Sequence, residues 1–149
     1  MKPENSVAIP GSSIASAADK GANKKKNEKK LQLTVEAGHS GAVVLHCQGR
    51  IIFRSEARAL SSIVAEVLPS AHRMVVDLAG IDSIDSGGLG ELVLICMWAD
   101  AAGYTMSFAS PKKSLRHLFE ITNLASVFDV YGSVPEAMAA MVQEEIHPA

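Results

Sequence analysis

The chain has 149 residues, with 14 basic and 16 acidic side chains, and its length suits one domain with a hydrophobic core rather than two. The charge is unevenly distributed, because residues 1–30 hold seven lysines against three acidic residues, whereas the remainder holds seven basic against 13 acidic residues. An acidic body argues against a nucleic-acid-binding domain, since phosphate recognition needs clustered Lys and Arg on the folded surface.

Residues 1–30 are rich in Ser, Ala, Gly, Asn and Lys. Such a segment cannot bury enough apolar surface to offset the entropy of ordering. We therefore expect a disordered basic tail over residues 1–30 and a folded domain over residues 31–149. The lysine run at residues 24–30 is expected to be solvated, and contact with RNA or an acidic partner is the alternative.

The start of the sequence has no apolar stretch of the length that a secretory signal requires, and the longest apolar stretch, Leu92 to Ala99, is far too short for a membrane span. Cys47 and Cys96 each lie inside an apolar run, where a small buried thiol packs well, and nothing suggests a disulfide framework. We expect a protein of the reducing cytoplasm that does not insert into a membrane.

The folded part begins with two predicted strands. Leu31, Leu33 and Val35 alternate with polar residues, and a glycine-containing turn leads to an apolar run over residues 43–47. Apolar residues at helical spacing then predict an amphipathic helix, with Ser55 as its N-cap and Pro69 as its stop.

Residues 74–78 form a short β-branched run, as expected of a buried parallel strand. A helix over about residues 88–102, ended by Gly103, follows, and residues 104–109 predict another strand. Ser110 and Pro111 predict the N-cap and the first position of the next helix.

Residues 127–131 are the last predicted strand, and Ser133 with Glu136 forms a capping box for a closing helix. The predicted order is ββαβαβαβα. It indicates an α/β fold: a single domain with a mixed, mostly parallel sheet of about five strands and about four helices packed against it.

A glycine-rich segment connects the buried strand to the helix that follows it, and it reads Ile84-Asp85-Ser86-Gly87-Gly88-Leu89-Gly90. It places Asp85 and Ser86 at a helix N-terminus, where free N–H groups and the helix dipole favour a cap or a bound anion. Each glycine costs about 1 kcal/mol relative to alanine in a helix, so three in the first turn need a reason such as close approach of another chain.

Two catalytic interpretations fail at this segment. A phosphate-binding loop would need a lysine and a hydroxyl after the last glycine, and Glu91 stands there instead. A nucleophile elbow would need glycine two residues before the serine, and position 84 is Ile. No catalytic, cofactor-binding or metal site is expected, and the remaining structural alternative is that Asp85 or Ser86 only caps the helix.

From residue 75 to residue 90 the sequence resembles the core of STAS domains, the family of anti-sigma factor antagonists. The run Asp85-Ser86-Gly87-Gly88-Leu89-Gly90 is similar to the family's Asp-Ser-Ser/Thr-Gly-Leu-Gly core, at the same place in the strand–helix order. The resemblance covers about residues 31–146, including Gly49-Arg50-Ile51, Gly103 and Ser110-Pro111. It implies a single STAS-like domain.

The resemblance also implies a function. Ser86 would be phosphorylated by a partner serine kinase that is also an anti-sigma factor, and a separate serine phosphatase would reset it. The unphosphorylated form would bind the kinase and free a sigma factor. By the same resemblance Asp85 and Gly88 shape the loop, and the partner-binding loop comprises Asp85, Gly87, Gly88 and Leu89. Phosphorylation would add about −1.5 to −2 charges there, which suits a binding switch.

Two positions depart from the family pattern. Gly87 replaces the usual second Ser or Thr, and Ile52 stands where many members carry an Asp. Ser83 and Ser55 are rival hydroxyls, of which Ser83 is expected to be tucked in and Ser55 to cap a helix.

The helix over residues 88–102 is apolar nearly all round, as is typical of a helix packed on both sides. We expect Trp98 in the core, and an exposed contact with a partner or a second copy is the alternative. The five histidines show no metal-ligand spacing.

Three functions remain. The first is the phosphorylation-switched antagonist, and the second is a constitutive STAS scaffold or accessory subunit of a signalling or transporter assembly. The third, a small enzyme or nucleotide-binding protein, lacks any acid/base cluster or phosphate loop. Homo-oligomerisation is left open.

Overall fold

The computed structural model describes residues 6–8, 30–38 and 41–146. Within these ranges one sheet carries four α-helices. The strands are β1 Ser6–Ala8, β2 Gln32–Ala37, β3 Val43–Ile51, β4 Arg73–Ile84, β5 Thr105–Ala109 and β6 Val130–Tyr131. The helices are α1 Ser55–Ala71, α2 Ser86–Ala102, α3 Lys113–Ile121 and α4 Val134–Ile146, with one 3-10 turn at Leu124–Ser126.

The strands lie in the sheet in their order along the chain, from β1 to β6. β1, β2 and β3 pair antiparallel, whereas β3 to β6 pair parallel. The predicted α/β class, a mixed, mostly parallel sheet of about five strands with about four helices packed against it, is confirmed, and the described sheet has one further short strand, β1. β1 was not predicted and lies within the expected tail; the other residues of that tail up to 29 lie outside the described residues.

The helices cover the two faces of the sheet unequally. Consecutive parallel strands joined by right-handed crossovers place their connecting helices on one face. The main core on that face holds residues of α1, α2 and α3 together with the inward side chains of the strands. α4 follows the last strand and packs on the opposite face, where Ala137 and Met141 contact Val75 and Ala109.

Two expected helix boundaries are wrong. Ser55 is the first residue of α1 rather than its N-cap, and its hydroxyl donates to Glu56. The first turn is instead closed by the backbone, because the Ala57 N–H donates to the Ile52 carbonyl. Pro69 lies inside α1, which continues to Ala71.

The start of α3 and the extent of β6 also differ from expectation. Ser110 has a positive φ of 60°, and its hydroxyl donates to the Gly132 carbonyl, so Lys112 takes the N-cap position. β6 is limited to Val130–Tyr131, because the preceding residues belong to the 3-10 turn and its exit. The capping box is partly as predicted: the Glu136 N–H donates to the Ser133 hydroxyl.

His46 joins three strands on the face that carries α4. Its Nδ1 lies 2.7 Å from Asp77 of β4, and its Nε2 lies 2.6 Å from Glu36 of β2. Carboxylates only accept hydrogen bonds, so the two contacts are both hydrogen bonds when both ring nitrogens carry a proton, which is the charged form of the imidazole. Burial lowers the pKa of His46, but the hydrogen bonds and charges of the two carboxylates outweigh it and the net pKa is raised.

This cluster predicts a pH-dependent contribution to stability. Because the folded pKa is raised, the contribution is fully present below the ordinary pKa of about 6.5 and is lost as the pH rises through the folded pKa. We expect His46→Gln to lower the free energy of unfolding by up to about 1 kcal/mol at acidic pH, and by less at alkaline pH, since exposed ion pairs contribute about 0.2–1 kcal/mol. Urea unfolding at both pH values measures this. His117→Gln, on an exposed histidine, is the control, and an equal pH response in both variants would contradict the assignment.

Candidate functional site

The glycine-rich segment lies at the edge of the sheet where the parallel strands end. β3 ends at Ile51 and β4 ends at Ile84, and these two residues are paired in register. The chain after β4 enters α2 directly, while the chain after β3 forms a short loop through Phe53 to α1. Two connections that are distant in sequence therefore meet at the N-terminus of α2.

Asp85 is the N-cap of α2. Its backbone is extended, with φ −89° and ψ 177°, and its Oδ1 accepts a hydrogen bond of 2.7 Å from the Gly88 N–H. Its carboxylate also accepts from the Phe53 N–H at 3.1 Å. Asp85 thus links the start of α2 to the loop after β3. Of the two residues expected as possible caps, Asp85 caps the helix and Ser86 does not.

Gly87 and Gly88 permit a close approach of the loop after β3. A Cβ on Gly88 would overlap the carbonyl oxygen of Ile51, and a Cβ on Gly87 would stand 2.5 Å from side-chain atoms of Phe53. The space that a Ser or Thr side chain would need at position 87 is therefore occupied by Phe53. At Gly90, by contrast, a Cβ would meet no atom of the described residues within 4 Å.

Ser86 is the first residue of α2 and is exposed. Within the described residues, nothing forms a hydrogen bond with its hydroxyl, and the backbone N–H groups of Ser86 and Gly87 have no acceptor there. Those N–H groups lie at the positive end of a 17-residue helix dipole. The hydroxyl is accessible, and a negative charge on it would be electrostatically favoured by the helix.

The remaining predicted site residues differ in exposure. Leu89 is only 8% exposed and packs in the main core, and Gly88 is also buried. These two residues position the helix, and the surface at this end is formed by Ser86 and its exposed neighbours. Ser83, expected to be tucked in, is exposed, which corrects that prediction. Asp82 is paired with Lys112 at 2.6 Å.

Phe53 and Arg54 were missed by the sequence analysis. Phe53 is 54% exposed beside Gly87, and the Arg54 guanidinium lies 5.5 Å from the centre of its ring. The sequence signal that could have identified Phe53 was an aromatic residue that directly follows a strand and belongs to no periodic apolar pattern. The two side chains extend the exposed surface from the start of α2 to the start of α1.

Trp98 is 39% exposed, so the expected core position is wrong and the exposed alternative applies. Leu94 and Met97, on the same side of α2, are exposed as well. α2 is therefore covered by the sheet and α1 on one side only, although its sequence is apolar nearly all round.

The titratable residues outside this segment form no reactive centre in the part of the chain that the structure describes. Both cysteines are free, and burial raises the pKa of each thiol, for Cys96 to about 12 with a smaller contribution from Asp129. No group of three or more metal-ligating side chains is found among the described residues. In the same ranges, no helix has both the length and the apolar character required to cross a bilayer.

The fold and the position of the glycine-rich segment define a STAS domain. The STAS domain model matches residues 34–137, and the chain belongs to this family. The resemblance expected from the sequence is thereby confirmed.

Among curated proteins, the chain is 27% identical over 100 residues to "Putative anti-sigma factor antagonist BtrV" of Bordetella bronchiseptica, covering 67% of this chain and 86% of the relative. It is 28% identical over 67 residues to "Putative anti-sigma factor antagonist" of Thermotoga maritima, covering 45% of this chain and 59% of that relative's length. An anti-sigma factor antagonist of Mycobacterium paratuberculosis has a similar fold, with a TM-score of 0.64 and 24% identity over 74% of this chain and 93% of that one.

Proposed function

We propose that this STAS domain is an anti-sigma factor antagonist switched by phosphorylation at Ser86. In the unphosphorylated form the module binds an anti-sigma serine kinase in the cytoplasm and so releases a sigma factor. The kinase phosphorylates Ser86, the complex dissociates, and a serine phosphatase restores the binding form. The module is a binding protein and not an enzyme.

The observation that carries this proposal is that Asp85 and Ser86 have different roles at the start of α2. Asp85 caps α2, so the Ser86 hydroxyl is exposed and has no structural task. A hydroxyl that the fold does not use can be modified without unfolding the domain. The two relatives from Bordetella bronchiseptica and Thermotoga maritima are themselves described as anti-sigma factor antagonists, and that description agrees with such a role.

The electrostatics of the segment support the switch. A phosphate on Ser86 adds about −1.5 to −2 charges at the start of α2, next to Asp85. The helix dipole and the free N–H groups stabilise that charge in the free module. A partner surface that is complementary to a neutral hydroxyl must remove the water around the phosphate, and this desolvation costs binding free energy.

The test is incubation with ATP and a purified anti-sigma serine kinase of the same organism, followed by mapping of the phosphate by mass spectrometry. We expect one phosphate on Ser86, none on the Ser86→Ala variant, and unchanged incorporation in Ser83→Ala, which removes the exposed neighbouring hydroxyl. A bound kinase that leaves Ser86 unmodified would favour the constitutive scaffold instead.

A further inference from the structure

A groove lies at the end of α2 that is distant from Ser86. It has a volume of about 380 Å³ and runs between the C-terminal half of α2 and the first residues of β5. Ala99 and Met106, both buried, line it together with Met97 and Val127, which are 58% and 49% exposed. Met97 and Val127 thus present apolar atoms that no described part of the chain covers, in a groove whose remaining accessible lining is largely polar.

The groove is also negatively charged. Asp100 and Asp129 line it and are exposed, and neither carboxylate forms a hydrogen bond or an ion pair with a described residue. The charge of Asp129 is close enough to Cys96 to raise the pKa of that thiol, after the larger effect of burial. The described residues that line the groove include no Lys or Arg. An occupant must therefore bring positive charge with its apolar surface.

We infer that this groove docks an apolar, basic segment of a partner protein. An apolar side chain of the partner would enter between Met97 and Val127, and flanking Lys or Arg residues would pair with Asp100 and Asp129. This docking site is additional to the surface at Ser86 and does not depend on phosphorylation. Nucleic acids and anionic membranes are disfavoured, because they would meet the two carboxylates with like charge.

A second copy of the chain fits the groove poorly. A two-fold dimer places the same patch of both copies in one interface, so Asp100 and Asp129 of both copies would be buried there with no Lys or Arg among the groove's described lining residues to pair with them. Like charges in an interface oppose association.

The lysine run at residues 24–30 is also a poor occupant. The position of each end can be measured along β4. Lys30 packs against Gly49, which is in register with Ile81 of β4. The groove lies beside Thr105, which is in register with Arg73 of β4. At about 3.3 Å per residue, the interval from Arg73 to Ile81 spans roughly 26 Å along the strands. The six residue-to-residue intervals from Lys24 to Lys30 reach at most about 21 Å.

Trp98 provides a built-in reporter for this groove. It is the only tryptophan of the chain, and its ring lies 5.6 Å from that of Tyr104, which lines the groove. Because Trp98 is 39% exposed, covering the groove should shift its emission to shorter wavelength.

The experiment titrates the full-length protein with a synthetic amphipathic peptide of Leu and Lys and follows Trp98 emission. We expect a saturable shift, and no shift with the same peptide carrying Glu in place of Lys. The double variant Asp100→Asn/Asp129→Asn should bind the Lys peptide about 10-fold more weakly, since two exposed charge pairs together contribute on the order of 1.4 kcal/mol. The matched control Glu66→Gln/Glu120→Gln removes two exposed carboxylates elsewhere and should bind as the wild type does.

Four outcomes would overturn the inference. Equal weakening in both double variants would mean general attraction to an acidic protein, and equal binding of the Glu peptide would mean apolar contact alone. A shift that depends on protein concentration without peptide would identify a second copy as the occupant. Tighter peptide binding by Lys24→Glu/Lys25→Glu/Lys26→Glu would identify the chain's own lysine run.

Discussion

Gly88→Ala is expected to lower the free energy of unfolding by about 2 kcal/mol, whereas Gly90→Ala should raise it by up to about 1 kcal/mol. A Cβ on Gly88 would overlap the Ile51 carbonyl oxygen, which also accepts a hydrogen bond of 3.3 Å from the Asp85 N–H. The methyl group therefore forces α2 away from β3 and weakens the contact that holds its start. At Gly90 the same methyl group meets no described atom within 4 Å, and only the gain in helix propensity remains.

Urea unfolding of the two variants beside the wild type measures both effects. The two substitutions add one methyl group each to the first turns of one helix, so a difference in sign between them isolates the contact with Ile51. If both variants are more stable than the wild type, α2 does not approach β3 as closely as the structure indicates.

Features that depend on neighbouring residues could be predicted from the sequence. Gly103 ends α2 with a positive φ of 86°, and its N–H donates to carbonyls of the last turn, within four residues along the chain. The Ser133–Glu136 hydrogen bond is equally local. The order of the strands and helices follows from patterns of apolar residues within single segments, and it was predicted completely from β2 onwards.

Features that depend on distant residues could not be predicted. Ser110 was expected to cap α3, but its hydroxyl reaches the Gly132 carbonyl, 22 residues further along the chain. The first turn of α1 is closed by the Ile52 carbonyl, so Ser55 is not needed as a cap. A propensity for capping describes what a side chain can do, and tertiary contacts decide whether it does so.

The same limit applies to the candidate site and to α2. The glycine-rich pattern predicted the location of Ser86, but it contained no information about Phe53, whose N–H meets Asp85 across 32 positions of the sequence. The apolar sequence of α2 predicted burial for Trp98, but it could not tell which sides of the helix have neighbours. Leu94 and Met97, at 61% and 58% exposure, lie on the side that no described residue covers.

Ser86→Asp is expected to weaken binding to the anti-sigma kinase by at least about 30-fold, which corresponds to roughly 2 kcal/mol. The substitution places a permanent charge where the proposed partner meets a neutral hydroxyl, beside the carboxylate of Asp85. In the free protein the same charge lies at the N-terminus of α2, where an acidic side chain stabilises a helix by about 0.3–1 kcal/mol. The variant should therefore unfold at the same or a higher urea concentration while it loses its partner.

Isothermal titration calorimetry with the kinase measures the loss, and two variants separate its causes. Ser86→Ala stays neutral and should bind within about three-fold of the wild type, or about 0.6 kcal/mol. Ser83→Asp adds the same charge at the exposed end of β4, three residues away, and should weaken binding much less. Equal weakening by Ser83→Asp would mean that the kinase senses the net charge of this edge of the sheet. Wild-type affinity in Ser86→Asp would mean that a charge at this hydroxyl cannot release the partner, and the switch would have to lie elsewhere.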